Sequence, residues 1–186
     1  LSQTLLKITA PGVPDFYQGA ELWDLSLVDP DNRRPVDFEQ RVSFLKDIKD
    51  RAKHDILGLI AELFSTREDG RIKLFLIARV LEARKQNLEI FQQGDYLPLQ
   101  VAGKFKEHVV AFARRHGDRA AITVTPRFLT GLIKPGENPL KEAVWADTQI
   151  QLPQGMPFAW TNAIAAQTIE SSDAMPVGEV LKYFPV

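Results

Sequence analysis

Leu1, Leu5 and Ile8 stand four and three residues apart, with Leu6 beside them, and the stripe stops at Pro11-Gly12. That spacing predicts the apolar face of a helix ended by a turn. Val13 to Gly19 (VPDFYQG) is short, aromatic and bounded by Pro and Gly, the pattern of a buried strand. Residues 20–36 hold no periodicity and carry two prolines and several acids, which predicts a long ordered loop of the kind that often bears function. Asp37 followed by Gln40 resembles a capping box, and Phe38, Val42, Leu45 and Ile48 then recur at helical spacing, so a helix is expected over about 37–51. Ile56, Leu59, Ile60, Leu63 and Phe64 predict a second helix, up to the polar break at Arg67 to Gly70. Asp69 is placed to cap a third, in which Ile72, Phe75, Leu76, Val80 and Ala83 share a face. Arg84 and Lys85 fall near its C-terminal dipole, and with Arg79 they read as a solvated face.

From Gly94 onward the texture changes to short alternating or β-branched runs broken by Gly, Pro and Asp, which marks a domain boundary. The expected division is 1–90, mostly helical, and 91–186, mostly strands. Lys106 to Arg115 and Arg119 to Thr125, joined through His116-Gly117-Asp118, form the clearest hairpin in the sequence. Further strands are expected at Tyr96 to Val101, Val144 to Leu152, Pro157 to Thr161, Ala166 to Glu170 and Glu179 to Phe184, with Trp145 and Trp160 in their core. That many short strands in about ninety residues point to an antiparallel β-sandwich, so the chain as a whole reads as α+β.

Composition narrows the function classes. A net charge of −1 with 45% hydrophobic and 25% charged residues describes a soluble globular protein without bias toward nucleic acid or anionic membrane. No apolar run approaches the roughly 20 residues needed to span a bilayer. The absence of cysteine removes disulfides, thiolate metal sites and cysteine nucleophiles, and makes the cytoplasm the default location. His54, His108 and His116 stand apart without ligand spacing, and no metal site is expected. The start at Leu1, with neither initiator methionine nor signal peptide, reads as a cut from something longer.

Two stretches carry a family resemblance. Ala10 to Glu21 (APGVPDFYQGAE) resembles the eighth barrel strand of the α-amylase clan, where a Pro-Gly-x-Pro turn leads into a strand ending in Tyr-x-Gly-x-Glu. Glu21 to Asp37 (ELWDLSLVDPDNRRPVD) and Asp69-Gly-Arg-Ile-Lys-Leu-Phe75, with Arg84 and Phe91, resemble malto-oligosyltrehalose synthases. The resemblance implies the last strand and helices of a (β/α)8 barrel followed by the family's β-rich C-terminal domain. It implies an isomerase that turns the reducing-end α-1,4 link of a malto-oligosaccharide into an α,α-1,1 link, without cofactor. Such a retaining reaction needs two carboxyl groups about 5 to 5.5 Å apart. In the clan these follow the fourth and fifth strands, with a third carboxylate after the seventh. All three are then expected upstream of Leu1, leaving this chain alone inactive. An unpaired barrel strand is also an exposed edge, which predicts self-association.

The candidate binding residues lie in the loop: Tyr17, Gln18, Glu21, Trp23, Asp29, Asp31, Asn32, Arg33 and Arg34. Arg33 and Arg34 can donate paired hydrogen bonds to sugar hydroxyls, or can lock Asp29, Asp31 and Asp37 in place. Trp23 can stack on a glucose ring or anchor the loop to the core. Glu21 with Asp24, or Asp29 with Asp31, make poor catalytic pairs, because nearby arginines lower the pKa that a general acid needs raised. Two other functions fit the same residues. One is a non-catalytic β domain that binds glucan or shields the barrel, and the other is a sister amylase-clan hydrolase or sucrose-active transferase.

Overall fold

The computed structural model describes residues 1–28, 30, 33–134, 140, 142–171 and 173–186. Four main helices make the first half: α1 (Ser2–Thr9), α2 (Phe38–Ala52), α3 (Ile56–Ser65) and α4 (Arg71–Gln86), followed by the short α5 (Leu88–Gln92). The Asp37 carboxylate accepts the Gln40 N–H at the start of α2, as the sequence predicts, and Asp55 does the same for Gly58 at the start of α3. Such caps satisfy amide groups that the first helical turn leaves without partners.

Helix α4 is the pivot. Ile72, Phe75, Leu76 and Val80 are buried against Leu5 and Ile8 of α1 and Leu59, Ile60 and Leu63 of α3. Its solvated face is smaller than the pattern suggested. Arg84 is 9% exposed and donates from Nη1 to the Ile8 carbonyl (2.7 Å) and from Nη2 to the Gly12 carbonyl (2.6 Å). It thereby caps the carbonyl end of α1, and its guanidinium lies over the Phe91 ring. Arg79 donates from Nε and Nη2 to the Ala163 carbonyl. Burial lowers the pKa of both arginines, and neighbouring Arg114 adds to the effect at Arg84. A helical-wheel pattern assigns a face by side-chain type, and an arginine that finds backbone carbonyls can turn inward.

The second half carries three small antiparallel sheets. β1 (Asp95–Pro98), β3 (Val109–His116) and β4 (Arg119–Pro126) form one, in the order β1-β3-β4. β2 (Val101–Ala102), β5 (Gln149–Gln151) and β8 (Ala174–Pro176) form the second, and β6 (Ala159–Thr161) with β7 (Thr168–Glu170) the third. The β3–β4 hairpin turns through Gly117-Asp118, with Gly117 at φ 63°, the conformation that places glycine first in a type II′ turn. Trp145 is 1% exposed in a core with Val109, Val124, Ile150, Met175 and Leu181, and Trp160 packs half-buried against it. Ile164, Ala165, Phe184 and Val186 from the far end of the chain are built into the helical core instead.

Three expected strands differ. Residues 13–19 form no strand; their backbone is irregular and closes in a turn, with the Ala20 N–H on the Tyr17 carbonyl. A strand is defined by a hydrogen-bonded neighbour, and among the described residues none lies alongside this one. The unpaired strand edge behind the expectation of self-association is therefore not formed. Residues 179–184 are also not a strand, since α6 (Val177–Val180) and a turn occupy that region. The strand expected over 144–152 shrinks to 149–151, preceded by a 3-10 turn at Glu142–Trp145.

Candidate functional site

The loop that carries the candidate residues is held by two side chains from the helices behind it and by one of its own. Arg41 of α2 donates from Nε to the Glu21 carboxylate (3.1 Å), from Nη2 to the Gly19 carbonyl (3.0 Å) and from Nη1 to the Asp37 carbonyl (3.0 Å). Lys73 of α4 donates to the Leu22 carbonyl (3.1 Å), and its ammonium sits 5.7 Å from the centroid of the Trp23 ring. Burial lowers the Lys73 pKa, while Asp24 and Glu21 oppose the shift. Finally, the Trp23 indole N–H donates to the Arg67 carbonyl (2.6 Å).

Gly70 makes this closure possible. It holds φ at 80°, and a Cβ there would stand 2.8 Å from the Trp23 backbone nitrogen and 3.2 Å from the Leu22 Cβ. Asp69 accepts both the backbone N–H and the Nε–H of Arg71. The Arg71 guanidinium continues to Glu62 (3.2 Å) and Thr66 (3.1 Å), and Glu62 also pairs with Arg51, which ties α2, α3 and α4 together. Hydrogen bonding from Arg51, aided by its charge and by Arg71, lowers the Glu62 pKa against partial desolvation. The two stretches 21–37 and 67–73 are thus two sides of one joint.

Each candidate residue has its place in this joint or outside it. Tyr17, 56% exposed, and Gln18 face solvent at the turn that opens the loop. Glu21 is paired to Arg41. Trp23 keeps 40% of its surface exposed while its N–H anchors the loop. Arg33 and Arg34 are exposed, and each has an interaction partner. Asp29, Asp31 and Asn32 lie outside the described residues. Asp24 accepts the Ser26 N–H in a local turn, and hydrogen bonding from Ser26 lowers its pKa, the wrong direction for a general acid at neutral pH. Sequence reasoning missed Arg41 and Lys73. The positions of Arg41, four residues after Asp37, and of Lys73, three after Gly70, hold no signal of the distant carbonyls they reach.

Several large apolar side chains in and after the loop are exposed. Val13, Leu25, Leu27 and Val28 are exposed, and so are Phe38 and Val42, two residues of the apolar repeat that predicts α2. Among the described residues no cluster of His, Asp and Glu has metal-binding geometry, and no helix is long and apolar enough to cross a membrane.

No family model matches the chain. Putative maltooligosyl trehalose synthases from two strains of Mycobacterium tuberculosis are each 37% identical to it over 186 residues, 100% of this chain and 20% of theirs. The maltooligosyltrehalose synthase structure from Arthrobacter ramosus superposes with a TM-score of 0.70 at 30% identity, covering 99% of this chain and 21% of that one. Another crystal structure of a maltooligosyl trehalose synthase gives 0.64 at 27% identity, covering 94% and 20%. The chain spans about a fifth of the length of the curated relatives it matches. Over its whole length, this chain is similar to one segment of the maltooligosyl trehalose synthases.

Proposed function

We propose that this chain is the C-terminal portion of an enzyme that isomerises the reducing-end α-1,4 link of a malto-oligosaccharide to an α,α-1,1 link by intramolecular glucosyl transfer. Residues 1–90 complete the catalytic barrel, and 91–186 form the domain that follows it. The observation that carries this reading is the joint itself: Leu22 and Trp23 from one resembling stretch meet Gly70 and Lys73 from the other. The exposed apolar side chains of 13–42 supply a surface for the rest of such an enzyme. In the absence of that larger body the same surface drives self-association of the chain.

Tyr17, Gln18, Glu21, Trp23 and the loop through Asp29, Asp31, Asn32, Arg33 and Arg34 then form one wall of the sugar site. Holding the released glucosyl unit away from water is what separates transfer from hydrolysis. The chemistry belongs to carboxylates elsewhere in the longer protein, so this chain alone leaves maltopentaose unchanged. In the longer polypeptide, Arg34→Ala raises the share of free glucose among the products. An unchanged product ratio would remove the loop from the site, and turnover by this chain alone would remove the division of labour.

A supporting role for the β domain is favoured over glucan capture on a sheet face, because Trp145 is fully buried and Trp160 packs on the core.

A further inference from the structure

The two halves that sequence texture divides share side chains. At the tip of the β6–β7 hairpin, Ile164 and Ala165 leave the sheets and pack in the helical core with residues of α1, α3 and α4. The C-terminal residues follow the same route. Leu181 belongs to the core under the sheets, whereas Phe184 lies in the helical core, its ring 5.7 Å from that of Phe75 on α4, and Val186 is buried in the same core. Next to the hairpin tip a cavity of about 690 Å³ parts α4 from β4, so the layers are not flush there and the inserted side chains make the bridge.

Asn162 joins the two insertions. Its Oδ1 accepts the N–H groups of Ile164 (3.0 Å) and Ala165 (2.9 Å), which shapes the tip, and its Nδ2 donates to the Val180 carbonyl (3.3 Å) at the end of α6. From the helical side, Arg79 of α4 closes on the tip with Nε (3.0 Å) and Nη2 (2.6 Å) both on the Ala163 carbonyl. Ala166 holds φ at 57°, a region that strains a non-glycine residue, so the shape of the tip is imposed by what surrounds it. Loss of large apolar side chains from a core is among the most destabilising changes, and here those side chains come from the other half. We propose that the β-rich half is a folding partner of the helical half, donating the hairpin tip and the C-terminal residues to its core, with Asn162 and Arg79 as the latch. The two halves then open as one unit. This role does not depend on the reaction proposed above.

Hydrogen exchange of the full chain, read peptide by peptide, follows the two halves separately. Ile150 on β5 is fully buried in the core under the sheets and is not part of the helical core. Ile150→Val is expected to lower amide protection about fivefold in α4 as well as in the β3–β4 hairpin. A fall confined to β3–β4 would overturn the proposal. Asn162→Ala releases the latch, so in that background Ile150→Val is expected to lower protection in β3–β4 and to leave α4 little changed. Arg79→Lys, which loses the two-nitrogen grip, serves if Asn162→Ala does not fold. If Ile150→Val still reaches α4 in full after the latch is cut, the coupling runs elsewhere, for instance through the Ser2 hydroxyl that donates to the Pro126 carbonyl, and the latch is overturned.

Discussion

A Cβ on Gly70 would stand 2.8 Å from the backbone nitrogen of Trp23, so the helix start and the loop approach as closely as a side-chain-free residue allows. Gly70→Ala therefore meets two obstacles, the positive φ and the loop backbone. It is expected to cost about 1–3 kcal/mol, the range for strained backbone positions. Urea unfolding followed by tryptophan fluorescence measures this; a midpoint equal to wild type would show that the loop is not seated on Gly70.

Trp23→Phe keeps an aromatic ring and removes the N–H that reaches the Arg67 carbonyl. The expected loss is about 1 kcal/mol, one hydrogen bond of ordinary net strength. If anchoring the loop is the ring's larger role, the longer enzyme carrying this change should keep its KM while the unfolding midpoint falls. A raised KM at unchanged stability would reverse the order of the two roles.

Arg84 donates to two carbonyls from two different nitrogens, at Ile8 and at Gly12. Arg84→Met leaves both acceptors buried or half-buried without this donor, and should destabilise by about 3 kcal/mol. Arg84→Lys is expected to recover little, because a single ammonium does not reproduce the planar fork. Full recovery of thermal stability by lysine would show that charge alone matters here.

Glu62 gives the fold a pH dependence of known sign. Its pKa is below the ordinary 4.5 in the folded state, chiefly through hydrogen bonding from Arg51. The unfolded state thus binds the proton more readily, and stability rises with pH across that interval. The contribution is present above pH 4.5 and is lost as pH falls through the folded-state value. The side chain is 37% exposed, so the effect is small and weakens with salt. Glu62→Gln should flatten the acid limb of a stability–pH curve at low salt; an identical limb would mean the pairing contributes nothing.

Local rules made much of the helical half legible. Asp37 caps α2, the apolar residues of α3 and α4 repeat at the helical period, and Gly117-Asp118 turns the β3–β4 hairpin. Each of those features is decided within a few residues. What sequence could not show depends on distant partners. Val13 to Gly19 has the composition of a strand and, among the described residues, no neighbour to pair with, and Arg84 turns inward because α1 ends beside it. In the loop, Trp23 and Glu21 were legible as candidates, whereas the residues that fix them, Arg41 and Lys73, were hidden in the polar faces of helices. Phe38 and Val42 show the converse: their spacing is that of a core stripe, yet they lie on the surface.

The most direct test uses the longer polypeptide with maltopentaose, following reducing ends and product mass together. Isomerisation predicts that reducing ends disappear while the mass stays constant. A gain of reducing ends with shorter products would contradict it and place the parent enzyme among hydrolases.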